Sequence, residues 1–116
     1  MASARDRLAS ARAVLESGFP SPAVGGAYYA MLYAARAALS EEDRYAKTHR
    51  GTWSLFGELF VATGHLDAEL ARAAGETQEL REGADYDALD VSREQAEAAI
   101  AHTDRFVAPI AAMLGA

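Results

Sequence analysis

Apolar residues recur along this chain at intervals of three and four, the period that lines up one side of a helix. In the first such stretch Ala4, Leu8, Ala11 and Leu15 form the stripe, and Gly18 supplies the stop. A second opens with Ser21 as N-cap and Pro22 at the first helical position, where a missing N–H is harmless. It runs to about Ser40 and carries Ala27, Ala30, Ala34, Ala35 and Ala38. Small side chains let neighbours approach closely, so this segment is expected to be the central helix. A third begins at the cap Thr48 and continues to Gly64, a C′ residue. Trp53, Phe56 and Phe60 share one of its faces, with Leu55, Leu59 and Ala62 on the adjacent one. A helix apolar around that much of its circumference is buried on more than one side. The fourth has Asp67 as cap and Leu70, Ala73, Thr77 and Leu80 as its stripe. In the fifth, Ser92 and Gln95 form a capping box ahead of Ala96, Ile100, Thr103, Val107, Ile110 and Leu114. Pro109 removes one N–H late in that helix and should bend it.

No segment shows strand alternation, and no repeat or linker interrupts the chain. The connections are short, so consecutive helices should run antiparallel. The pattern predicts an all-α protein, an up-and-down bundle of about five helices in one domain spanning 1–116. A chain of 116 residues, 51% apolar and 24% charged, is long enough for one core. With no cysteine, disulfides and thiolate metal sites are excluded. MASARDRLAS lacks the apolar run of a signal peptide. AYYAMLYAARAAL is too short to span a bilayer and carries Arg36. These features predict a cytoplasmic protein with no membrane role. The formal charge of −6 argues against a broad basic surface of the kind that tracks a phosphate backbone. Any nucleic-acid contact should therefore be local, and RYAKTHR, holding Arg44, Lys47, His49 and Arg50, is the place for it.

His49, His65 and His102 are far apart in sequence and never paired at helical spacing, so no metal site is expected. Nucleophile elbows and phosphate-cradling glycine loops are absent, and no cofactor is implied. Gly25 and Gly26 fall inside a helical pattern and read as a point where two helices touch. Tyr29, Tyr33 and Arg36 share one face of the second helix, while Tyr28 and Met31 lie on another. A tyrosine buries its ring and keeps a polar tip. The row is either a core face with its hydroxyls bonded to neighbours or a pocket wall carrying one cation. Arg44 and His49 are separated by four residues, a spacing in which the arginine would hold phosphate and the histidine would move protons. The same residues also suit a cap and solvated turn around Thr48. In ELREGADYDAL, Arg81 and Asp85 could pair across one turn, and Gly83 weakens the helix and could end it. Asp85 and Asp87 would then bond locally around a turn, with Tyr86 docking sideways.

Taken together, AYYAMLYAARAAL, KTHRG with its following aromatic helix, FVATG and LREGADYD resemble the HEPN family. The resemblance is to its small stand-alone bacterial and archaeal branch and covers nearly the whole chain. It implies a bundle of about five helices, usually a homodimer. It also implies a minimal nucleotidyltransferase as partner, often in a toxin–antitoxin pair. Other branches are metal-independent ribonucleases with an Arg-x4–6-His motif completed across the dimer. Here Arg81 matches the arginine, but the histidine position, after four intervening residues, is Tyr86. A phenol, with a pKa of about 10, is a poor proton shuttle at neutral pH. The resulting expectation is a nucleotide- or RNA-associated interaction module. Arg81, Lys47, His49 and Arg50 would hold phosphate, and Tyr86, Tyr29 and Tyr33 would wall the pocket, with Asp85 and Arg36 beside them. Two alternatives stand: a metal-independent endoribonuclease toxin using Arg81 and His49, and a structural adaptor that touches no nucleotide.

Overall fold

A computed structural model describes residues 1–86 and 90–115, with the side chains of 84–86 excepted. Five helices follow one another: α1 (Ala2–Glu16), α2 (Pro20–Glu41), α3 (His49–Phe56), α4 (Ala68–Tyr86) and α5 (Arg93–Met113). A π-helical turn, Gly57–Val61, extends α3. No strand occurs among the described residues. None of the described helices is long and apolar enough to cross a membrane.

α2 is the central helix and touches each of the other four. Its small residues make that packing feasible. Ala23, Ala27, Ala30, Ala34 and Ala35 are all fully buried. A Cβ added at Gly26 would lie 3.2 Å from the Ala11 Cβ, so α1 presses on the backbone there. The expected contact at the glycine pair therefore falls on Gly26. In α1 the buried residues are Ala4, Leu8, Ala11 and Leu15, the stripe read from the sequence. In α5, Thr103 is buried and bonds the carbonyl oxygens of Ala99 (2.8 Å) and Ala27 (3.4 Å), which ties α5 to α2.

Helix ends follow local chemistry. Gly18 adopts φ +92°, the left-handed turn that closes α1. Thr48 accepts a hydrogen bond from the Gly51 N–H, and Ser92 and Gln95 form a reciprocal capping box. Asp67 accepts one from the Glu69 N–H at the start of α4. Two expectations need correction. Helix α2 begins two residues earlier than predicted, with Phe19 as its cap and Pro20 leading the helix, because the Phe19 backbone already sits in the turn closing α1. Helix α4 does not stop at Gly83 but continues to Tyr86, so the glycine's weak propensity is overridden in the packed bundle.

The core has two parts. One gathers Leu8, Ala11, Leu15, Val24, Ala27, Ala96 and Ile100 between α1, α2 and α5. The other holds the aromatic residues Tyr28, Phe56, Phe60 and Phe106, with Trp53 packed against them. Phe56 stacks on Phe60 with centroids 5.1 Å apart, and Trp53 meets Phe106 edge-on at 5.8 Å. It is on this second part that α3 and α4 set their polar residues.

Candidate functional site

Tyr28 is fully buried, yet its hydroxyl is a junction. The Trp53 indole N–H donates to it at 3.2 Å, and the His49 Nδ1 lies 3.2 Å away. An indole nitrogen only donates, so the phenolic oxygen accepts from Trp53. Towards His49 the phenol donates to a bare Nδ1 or accepts from Nδ1–H, according to the imidazole tautomer. Nε2 has no hydrogen-bond partner among the described residues. Burial holds the His49 pKa below its usual value, and the charges of Arg36 and Arg81 push it further the same way. Burial raises the Tyr28 pKa, opposed by the Trp53 hydrogen bond and by Arg81, so the phenol keeps its proton.

Arg81 comes from α4, 52 positions beyond Tyr29, and donates to the Tyr29 hydroxyl at 3.4 Å. Its guanidinium lies over two rings, 5.1 Å from the Tyr28 centroid and 5.2 Å from that of Tyr29. His49 meets the same two rings at 5.8 Å each. Arg81 and His49 are therefore joined through one pair of tyrosines within a single protomer. Arg36 is held nearby: its Nε donates to Thr52 Oγ1 at 3.5 Å, and Thr52 in turn donates to the Thr48 carbonyl at 2.8 Å. His49 is the first residue of α3, and no acidic side chain occupies that helix's first turn. The unneutralised N–H end adds a further partial positive charge.

The remaining sequence candidates are placed as follows. Tyr33 stands 6.3 Å from Tyr29 and faces α1, where the Arg7 guanidinium lies 5.3 Å from its ring. Lys47 and Arg50 are exposed on the approach to α3, and no hydrogen bond among the described residues joins them to the cluster. The side chains of Asp85 and Tyr86, and the whole of Asp87, lie outside the described residues, so the Arg81–Asp85 pair does too. Sequence reasoning passed over Tyr28, Trp53 and Arg7. For Tyr28 a signal was present: a tyrosine among Met31, Leu32 and alanines requires a polar partner from another helix. A cleft of about 540 Å³ is lined by Glu41, Phe60, His65 and Met113 among others and shares no residue with this cluster.

The Arg81 guanidinium and the His49 ring both lie against the Tyr28 and Tyr29 rings, and Arg36 is near enough for its charge to lower the His49 pKa. Two guanidiniums, which only donate, suit an anion with several oxygens. The described residues contain no group of three metal-ligating side chains.

Comparison with known proteins places this geometry in a family. The profile described as "HEPN domain" matches residues 1–113. "UPF0332 protein glr0978" of Gloeobacter violaceus is 35% identical over 106 residues, covering 90% of this chain and 84% of that protein. Two proteins of Methanocaldococcus jannaschii are also similar. "Putative toxin MJ0605" is 32% identical over 90% of this chain and 78% of its own length. "Putative toxin MJ0142" is 34% identical over 81% of this chain and 65% of its own length.

Proposed function

Because the chain belongs to the HEPN family, we propose that it is a nucleotide- or RNA-binding HEPN module whose phosphate site is built by Arg81, His49 and Arg36. The observation that carries this reading is the grouping of Arg81, Arg36 and His49 around Tyr28 and Tyr29. Arg81, packed on two rings, offers its N–H groups in a fixed plane, the arrangement that grips phosphate oxygens. His49 adds a neutral N–H donor.

The same hydrogen bonds favour binding over cleavage. A general base needs a free lone pair, and in this reading the Tyr28 proton occupies Nδ1, which leaves the neutral ring's own proton on Nε2. A general acid needs the imidazolium, which burial and two arginines disfavour. The setting that fits the toxin-named relatives is a toxin–antitoxin pair, in which this chain, as a homodimer, works with a minimal nucleotidyltransferase.

One observation keeps the endoribonuclease reading in view: Arg81 and His49 meet on the same two rings in one protomer. A single experiment separates the two. Fluorescence anisotropy with a mixed-sequence RNA, in EDTA and at fixed salt, is run beside a gel assay of the same strand. Binding without cleavage, weakened in Arg81→Ala and Arg36→Ala, is the expected result. Cleavage by wild type that vanishes in both Arg81→Ala and His49→Ala would replace this reading with the enzymatic one. Absence of any RNA or nucleotide binding would overturn both and leave the adaptor.

A further inference from the structure

Beyond the cluster, the turn between α2 and α3 holds an aromatic ring that the core does not use. Tyr45 is 76% exposed, the most exposed of the large hydrophobic side chains among the described residues. Its place is fixed by backbone bonding rather than by packing. The Asp43 N–H donates to the Ser40 carbonyl (3.0 Å) and the Arg44 N–H to the Leu39 carbonyl (2.9 Å). This is the closure that usually ends with glycine, but here Asp43 occupies the left-handed position at φ +54°. A non-glycine residue in that conformation is worth a functional question, because glycine would serve the turn with less strain.

The space beside the ring is a cleft of about 260 Å³, lined by Arg36, Leu39, Asp43, Arg44, Tyr45 and Ala46 among others. Arg36 belongs both to this cleft and to the cluster around Tyr28 and Tyr29. Thr52 joins the two, since its hydroxyl accepts from Arg36 and reaches the Ala46 carbonyl at 3.5 Å. One acid, Asp43, and two arginines, Arg36 and Arg44, therefore line the cleft. A carboxylate there would repel a phosphate but accept hydrogen bonds from the N–H groups of a base.

We propose that this cleft is a base-stacking subsite for single-stranded RNA, with Tyr45 as the stacking ring and Asp43 as acceptor for the base edge. The proposal rests on the phosphate-binding reading of the adjoining cluster. Arg36 and Arg44 hold the backbone between the two places, and the strand continues from the Tyr45 base to the Arg81–His49 phosphate site. An exposed aromatic beside a short basic track is the combination by which proteins hold single strands with little sequence preference.

The test compares a short RNA with an abasic strand of the same length, each binding full-length protein in anisotropy, with AMP as competitor. Wild type is expected to prefer the base-bearing strand. Tyr45→Ala should weaken that binding by about 5- to 100-fold and remove the preference, while Tyr45→Phe keeps both, since stacking needs only the ring. Equal affinity for both strands, or an unchanged Tyr45→Ala, overturns the subsite; if Arg81→Ala still weakens binding, the phosphate reading survives. Displacement by AMP at concentrations equal to the oligomer's would make the ligand a free nucleotide and overturn the assignment to a strand. No binding by wild type overturns subsite and phosphate reading together.

Discussion

The two halves of the core are built by opposite means. Between α1, α2 and α5 the helices meet through alanine, glycine and a few branched residues, and the one buried polar side chain that bridges helices there, Thr103, bonds only to backbone. Between α2, α3 and α4 the packing is aromatic, and its polar atoms bond to one another: Trp53 to Tyr28, Tyr28 to His49, Arg81 to Tyr29. The first half gains stability from close approach and exposes no chemistry. The second half uses bulky rings to hold cations and an imidazole at a surface. A bundle can therefore divide its labour, with one interface tight and featureless and another specified by hydrogen bonds between side chains.

The largest expected effect tests whether the aromatic half is a true core. Phe106→Ala removes a fully buried ring that contacts Trp53 and Phe56, and should lower unfolding free energy by about 3–5 kcal/mol in urea titrations. In the small-residue half the equivalent disruption is by excess volume. Gly26→Val would force α1 away from α2 and should destabilise by about 1–3 kcal/mol. If Gly26→Val were neutral, the close-approach account of that interface would be wrong.

Tyr28→Phe sharpens the contrast, because it keeps the ring and deletes only the junction. It leaves the Trp53 N–H and His49 Nδ1 without their partner and should be destabilising by about 1–3 kcal/mol. By the same reasoning Arg81 should stay on the rings, so RNA affinity should fall less than in Arg81→Ala.

The pH response distinguishes the halves further. His49 binds its proton less readily in the folded chain than in the unfolded one, where its pKa is the usual 6.5. Acid therefore favours unfolding: this contribution is intact above about pH 6.5 and is lost as pH falls from there through the lower folded value. Thermal unfolding between pH 7.5 and 5 should consequently be flatter for His49→Gln than for wild type. In NMR titrations the His49 midpoint should lie below 6.5 and rise in Arg36→Gln. A midpoint at or above 6.5 would remove the argument that His49 is a neutral donor.

The smallest effect lies on the surface that both halves share. Breaking the exposed Arg12–Asp104 pair, 3.4 Å apart, should change stability by no more than about 0.2–1 kcal/mol, and 0.5 M salt should erase it.

Much of the fold was legible because it is local. Leu8 and Leu15 announce their helix by spacing, Thr48 and Ser92 announce helix starts by the oxygen they lend, and Gly18 and Gly64 announce stops by adopting positive φ. The start of α2 was misplaced because two prolines and a serine lie within three residues, and only the turn that closes α1 decides which of them leads. The π-helical turn at Gly57–Val61 was hidden, since its wider spiral leaves the apolar residues of GELFV on the buried side either way.

The site was legible only in fragments. His49, Arg81 and Tyr29 could be singled out as candidates, and the resemblance named their family, but nothing in their spacing joined them. Tyr28 was assigned to a different face from Tyr29, and Trp53 to the core. The sequence by itself determined the five helices, the caps at Thr48 and Ser92 and the apolar stripes, because each rests on interactions within a few residues of chain. The tertiary structure alone decided that His49, Trp53 and Arg81, lying 21, 25 and 52 positions from their tyrosine partners, converge on one pair of rings. A buried hydroxyl must find a partner, but which one it finds depends on how the helices pack, and that is a property of the whole bundle.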